Sequence, residues 1–180
     1  MLILASQSPR RKELLSRLTE SFRVEIPNVD ETKLLHKVPP HLLPIEESKL
    51  KARAIVSRFP NDRIIACDTI VYVDGEILGK PKDEEEAFKM LSFQSGKRQE
   101  VISGYTYYDG KTYLSGSDIT YVYFKTLSEA EIRDYIRDYR PFDKAGAYGI
   151  QDEAGLIDHI EGSYSNVMGF PLEKIKELIQ

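Results

Sequence analysis

The run RIIACDTIVYV, Arg63 to Val73, most limits how this chain can fold. Arg63–Ala66 and Thr69–Val73 are rich in β-branched and apolar residues, and read as one buried strand run interrupted at Cys67 and Asp68. Asp74 and Gly75 follow at once, and Glu76–Leu78 resumes the pattern, which is the signal of a tight hairpin. Gly79, Lys80 and Pro81 then end the second arm. A hairpin here rules out a purely parallel sheet.

The remaining segments interleave strands and helices. Leu2–Ala5 is a short apolar run, and Ser8 with Pro9 offers an N-cap and a first helical residue. That helix places Leu14, Leu15 and Leu18 inward and carries Arg10 and Arg11 in its first turn. Phe22–Ile26 reads as a strand. After a loop at Lys37–Pro44, Ile45–Phe59 reads as a helix with Leu50, Ala54 and Ile55 inward and Lys51 along one edge. Asp83–Phe93 is helical. Gln99–Tyr108, Lys111–Ser115 and Ile119–Phe124 alternate as strands around a turn at Asp109 and Gly110. Ser128 followed by Glu131 is a capping box opening a helix to about Tyr139, and Leu172–Ile179 is a last helix. The fold class is α/β, or α+β on a stricter scheme: an elongated mixed β-sheet flanked by helices. At 180 residues, one domain spanning 1–180 is expected.

Charge and composition exclude several functions. A formal net charge of −4 argues against a general nucleic-acid binder, which needs a broad basic face. No apolar run approaches the roughly 20 residues that cross a bilayer, so no membrane partner is expected. The start, MLILASQSPRR, has its apolar stretch before its basic residues, the reverse of a secretion signal. Cys67, the single cysteine, cannot pair within the chain and reads as a small buried strand residue. A cytoplasmic protein is expected.

Several residues could carry chemistry. Ser6–Arg11, SQSPRR, sets hydroxyls, backbone N–H groups and two guanidinium groups at a helix start, where the macrodipole favours an anion; a capped surface helix with solvated arginines is the plainer reading. Asp68 is costly inside an apolar run unless it binds a cation, accepts hydrogen bonds or stays protonated. Glu31, in DETK, could supply a second metal oxygen, although loop carboxylates are ordinarily solvated. Lys51, Lys80 and Lys144 read singly as surface groups, and only convergence would promote them. Asp143–Gln151, DKAGAYGIQ, has the small residues of a backbone that closes on a ligand, or of a plain Gly-bearing turn. His36, His41 and His159 lack metal-ligand spacing. The tyrosines from Tyr105 to Tyr123 suit cross-strand packing better than base stacking.

Together, LASQSPRRKELL (Leu4–Leu15), VDET (Val29–Thr32), Lys51 with Ala52, ACDTIV (Ala66–Val71), LGKP (Leu78–Pro81), DKAGAYGIQ and IEGSYSNVMGFPL (Ile160–Leu172) resemble the Maf family of nucleotide pyrophosphatases. The resemblance spans nearly the whole chain. It implies a Maf/ITPase-like fold with a central cleft, and hydrolysis of a nucleoside triphosphate to monophosphate and pyrophosphate with Mg²⁺ or Mn²⁺. Asp68 falls at the family's catalytic acid, as proton acceptor, metal ligand or both, with Glu31 helping to hold the metal. Ser6, Arg10, Arg11, Lys51 and Lys80 would contact phosphates, with Lys144 also on the substrate. Arg10, Thr69 and Gln151 look like the branch acting on dTTP and UTP, with modified pyrimidine triphosphates as further candidates in a house-cleaning role. The alternatives are a 7-methyl-GTP pyrophosphatase, a monophosphatase, and a non-catalytic regulator of septum formation. A homodimer is also implied. Gln99 stands at a position where the family often has histidine, and Cys67 where it commonly has alanine.

Overall fold

The computed structural model describes residues 1–180. Seven strands form a mixed sheet flanked by helices. The strands are β1 (Leu2–Ala5), β2 (Phe22–Glu25), β3 (Arg63–Val73), β4 (Glu76–Leu78), β5 (Arg98–Tyr108), β6 (Tyr113–Phe124) and β7 (Ile157–Glu161). The helices are α1 (Pro9–Ser16), α2 (Leu43–Val56), α3 (Glu84–Gln94), α4 (Glu129–Tyr139), α5 (Tyr164–Val167) and α6 (Leu172–Ile179). The strand order is β2-β1-β3-β5-β6-β7, with β4 pairing on β3. β1 runs parallel to both β2 and β3, whereas β3–β4 and β6–β7 are antiparallel. No helix is long and apolar enough to cross a membrane.

The chain divides into two compact units. The first holds residues 1–69, 102–118 and 169–180; the second holds 70–101 and 119–168. In the first, Ile3 and Ala5 of β1, Ile64 and Ala66 of β3, and Ala52 and Ile55 of α2 bury one another with Tyr108. In the second, Val71, Ala87, Leu91, Val101, Val122, Phe124, Ile132 and Ile136 form the core with Ala147, Tyr148 and Leu156. The Ser8 and Ser128 caps occur as the sequence indicates, and Ser128 and Glu131 exchange both hydrogen bonds of a capping box.

Three expectations need correction. β3 is uninterrupted: Cys67 turns into the core and Asp68 finds a cation, so neither residue breaks the ladder. Tyr113–Phe124 is one strand rather than two, because Gly116 leaves room for the Tyr105 ring, whose hydroxyl would lie 2.5 Å from an added Cβ. The inward face of α2 is not centred on Leu50 and Ala54, which are half-buried, but on Glu47, Ser48, Lys51, Ala52 and Ile55. Polar residues are tolerated there because Ser48 Oγ pairs with Thr106 Oγ1 at 2.7 Å and Lys51 has carboxylate partners. Close docking fixes this orientation: a side chain on Gly104 of β5 would collide with the backbone of Pro44 and Ile45. β7 and the short α5 carry no strong periodicity that marks them in the sequence.

Candidate active site

In the first unit, α2 delivers Lys51 to β3 from one side. Its side chain is only 6% exposed, and its Nζ lies 2.8 Å from Asp68 Oδ1 and 2.7 Å from Glu31 Oε1. Asp68 is 15% exposed, whereas Glu31 reaches in from an exposed loop. Burial by itself depresses the Lys51 ammonium, but Asp68, with Glu31, outweighs it and holds the group above its ordinary value. The ammonium stays charged, and it gathers two acids that lie 37 residues apart in sequence.

α1 brings its arginines to the same unit. Arg11 Nε donates to Gly169 O at 2.8 Å and its Nη2 to Thr69 Oγ1 at 3.2 Å. Thr69 Oγ1 in turn pairs with Ser103 Oγ at 2.8 Å and contacts Gly169 O at 3.2 Å. Cys67 Sγ also donates to Gly169 O, at 3.5 Å, and burial pushes this thiol up. Arg11 is thus held by the protein rather than solvated. Arg10 lies half-buried beside it in the first turn, and Ser6 is buried, its Oγ accepting the Ser8 amide at 3.0 Å. Ser6 therefore shapes the entry to α1.

The second unit holds Lys80, Lys144 and Gln151. Gly146 N donates to Gly79 O at 3.0 Å, tying the exposed Lys80 bend to the 144–151 segment. The Lys144 stem and the Gln151 amide both lie over Gly149, where an added Cβ would meet Lys144 Cε at 2.7 Å and Gln151 Nε2 at 3.1 Å. Beneath them is a buried neutral network. Gln94 Nε2 donates to Gly146 O at 2.6 Å, Gln99 Nε2 donates to Gln94 Oε1, and Tyr148 OH donates to Gln99 Oε1 at 3.0 Å. Tyr135 OH accepts from Gly149 N at 2.9 Å and donates to Asp152 Oδ2 at 2.7 Å. Gln99 thus braces the turn that carries Lys144 and Gln151.

The structure brings Glu31, Lys51 and Asp68 together, and Arg11 with Thr69, in one unit; Lys144, Gln151 and the Lys80 bend are gathered in the other. His159 stacks on Tyr123 with ring centroids 4.2 Å apart, and Tyr108 packs on Tyr113 at 4.8 Å. Those tyrosines are packing residues. Two further residues of this unit are not marked by sequence pattern. Gly169 accepts from Arg11, Thr69 and Cys67, and its φ of 101° is the signal a glycine in MGFP offers. Glu47 is 3% exposed, and both its carboxylate oxygens lack a hydrogen-bond partner. Its position four residues before Lys51, on the same helical stripe, was the available sign.

The profile of the Maf family, described as Maf-like protein, matches residues 1–180. The chain belongs to the Maf family. It is 48% identical to a dTTP/UTP pyrophosphatase of Pyrococcus furiosus, with 99% of this chain and 94% of that protein aligned. A dTTP/UTP pyrophosphatase of Cytophaga hutchinsonii is 45% identical, over 97% of this chain and 80% of that protein. The solved structure of the Staphylococcus aureus Ham1 protein superposes with a TM-score of 0.52 at 13% identity, covering 99% of this chain and 97% of that one, which shows a shared fold.

No three His, Cys, Asp or Glu side chains converge as a ready-made metal cage. Asp68 and Glu31 nevertheless offer carboxylate oxygens, the donor type that a hard divalent cation takes.

Proposed function

We propose that this Maf-family protein is a cytoplasmic nucleoside triphosphate pyrophosphatase that cleaves dTTP and UTP to the monophosphate and pyrophosphate, assisted by Mg²⁺ or Mn²⁺. The observation that carries the reading is the pairing of Asp68 and Glu31 on a buried Lys51, in the same unit as a braced Arg11. The names of the Pyrococcus and Cytophaga relatives supply the substrate.

A triphosphate carries close to four negative charges at neutral pH, so its hydrolysis depends on charge neutralisation and in-line positioning. Lys51 and Arg11 offset phosphate charge with cations that need no reorganisation, because their protein partners already hold them. Asp68 accepts the proton of the attacking water; the water oxygen bonds to the α-phosphorus, the bond to the bridging oxygen breaks, and pyrophosphate leaves. Asp68 and Glu31 would hold the cation, which supplies further charge neutralisation on the phosphate oxygens. Ser6, Arg10 and Lys80 are assigned to phosphates, and Thr69, Lys144 and Gln151 to the rest of the nucleotide. Gln151 can read a pyrimidine edge, since its amide both donates and accepts.

The test is product analysis with dTTP, UTP, CTP and 7-methyl-GTP in the presence of Mg²⁺ or Mn²⁺. Equimolar pyrophosphate and monophosphate are expected, with kcat/KM for dTTP and UTP at least about tenfold above the others. Orthophosphate alone would make the protein a phosphatase, preference for 7-methyl-GTP would move it to another branch, and no turnover would leave a nucleotide-binding regulator.

A further inference from the structure

Gln151 rides on one tight helical turn, Ile150–Asp152, set between Gly149 and a left-handed Glu153 at φ 51°. Two hydrogen bonds, Asp152 N to Gly149 O at 3.1 Å and Glu153 N to Ile150 O at 3.3 Å, close that turn on itself. They do not fix how it is aimed. Ile150 packs on the core of the second unit, but apolar contact is non-directional and sets the depth of the turn rather than its rotation.

The direction comes from α4. Tyr135 is buried there among the core residues of the same unit, with its ring stacked on Tyr139 at 5.0 Å. Its hydroxyl accepts from Gly149 N at 2.9 Å and donates to Asp152 Oδ2 at 2.7 Å. One oxygen thus holds both ends of the span 149–152, and Gln151 lies within that span. The bond to a carboxylate is of the stronger, charge-assisted kind. Burial, and then the bond to Asp152, hold the hydroxyl far above its ordinary range, so it stays protonated and can keep both contacts.

The clamp leaves little slack at its far end. The Lys144 stem and the Gln151 amide converge over Gly149, within 2.7 Å and 3.1 Å of where a Cβ would stand, so turning the Gly149 peptide would displace both. A tyrosine that served only to fill the core would need a single partner for its hydroxyl. Here its two partners flank the residue assigned to the base.

We infer that Tyr135 is a positioning residue for base selection, which together with Asp152 aims the Gln151 amide at the pyrimidine edge from beneath. The inference rests on the dTTP and UTP reading above and deepens it, adding two residues that the family resemblance does not mark.

The experiment is steady-state pyrophosphate release from dTTP, UTP and CTP by wild type, Tyr135→Phe, Asp152→Asn and Asp152→Ala, each assayed well below its own Tm. Tyr135→Phe removes one oxygen and keeps the ring. KM for dTTP and UTP is expected to rise about tenfold and the preference over CTP to fall at least about threefold, while kcat stays within about threefold of wild type. Asp152→Asn keeps an oxygen that accepts from the tyrosine, and should hold KM within about twofold of wild type; Asp152→Ala should follow Tyr135→Phe. A merely structural tyrosine would lower Tm and leave KM and preference unchanged, which would overturn the inference, as would an equal rise in KM for all three nucleotides or a loss confined to kcat. Should Tyr135→Phe fail to fold, the Asp152 pair decides: equal KM values for Asn and Ala reject the clamp. Wild type that releases no pyrophosphate, or releases it without favouring dTTP and UTP, removes the substrate reading and this inference with it.

Discussion

The protein contains two polar clusters built on opposite rules. In the first unit, the buried Lys51 ammonium pairs with Asp68 and the exposed Glu31, and the buried Glu47 lacks any hydrogen-bond partner. In the second, Gln94, Gln99 and Tyr148 are held neutral, with each side chain hydrogen-bonded to the next and Gln94 anchored on Gly146 O. Burial drives the Tyr148 hydroxyl far above its ordinary range, so it remains a donor at any working pH. A satisfied neutral network specifies a backbone shape and asks nothing of solvent or ligand. A charged cluster with an unpartnered acid leaves part of the cost of burial uncompensated. The contrast separates a frame from the proposed reactive centre.

Asp68→Asn should break the charged cluster most visibly. The substitution removes the proposed proton acceptor at nearly constant shape, and pyrophosphate release is expected to fall by about a thousandfold or more. Lys51 keeps Glu31, so the loss of stability should stay within about 1–3 kcal/mol, read from urea unfolding. Wild-type turnover in this variant would strip Asp68 of its assigned role.

Gln99→Leu attacks the neutral cluster and should give the reverse pattern. It leaves Gln94 Oε1 and Tyr148 OH each short of a partner, at a cost of about 2 kcal/mol in unfolding free energy. Turnover should change by less than about tenfold, through a less rigid 144–151 segment rather than through the chemistry. A collapse of kcat as deep as that of Asp68→Asn, in a variant that still folds, would mean that the two clusters are not divided as frame and centre.

Much of this contrast was readable from residue order, and the unread part has a common cause. Caps, hairpin turns and the apolar runs of β1 and β3 are local signals, so Ser8, Asp74 with Gly75, and Ser128 with Glu131 mark their elements directly. Asp68 stood out because an acid in an apolar run is anomalous. The inward face of α2 was misplaced because periodicity counts apolar residues, and here the protein buries Glu47, Ser48 and Lys51 in their stead. Their burial depends on Asp68, Thr106 and Gly104, which are distant in sequence. The sequence divides β6 at Gly116–Asp118 for a similar reason, since the Tyr105 ring that Gly116 accommodates belongs to another strand. Local order reports what a residue is, and long-range pairing decides what it is permitted to do.

The smallest expected effect is a pH-dependent one, and it isolates Glu47 in the metal-free protein. Its carboxyl rises from 4.5 to about 7 on folding, chiefly through burial and then through Asp68. The folded state therefore holds this proton more tightly than the unfolded chain does. Stability from this group is complete below about 4.5 and is lost as pH rises through about 7. Glu47→Gln carries no titrating proton, so its stability relative to wild type should grow across that interval and level off above it. The gain at pH 8 should be about 1–2 kcal/mol, measured by urea unfolding at pH 5 and pH 8 in chelator. A difference between the two proteins that is flat with pH would show that Glu47 titrates alike folded and unfolded, and the charged cluster would then be as fully satisfied as the neutral one.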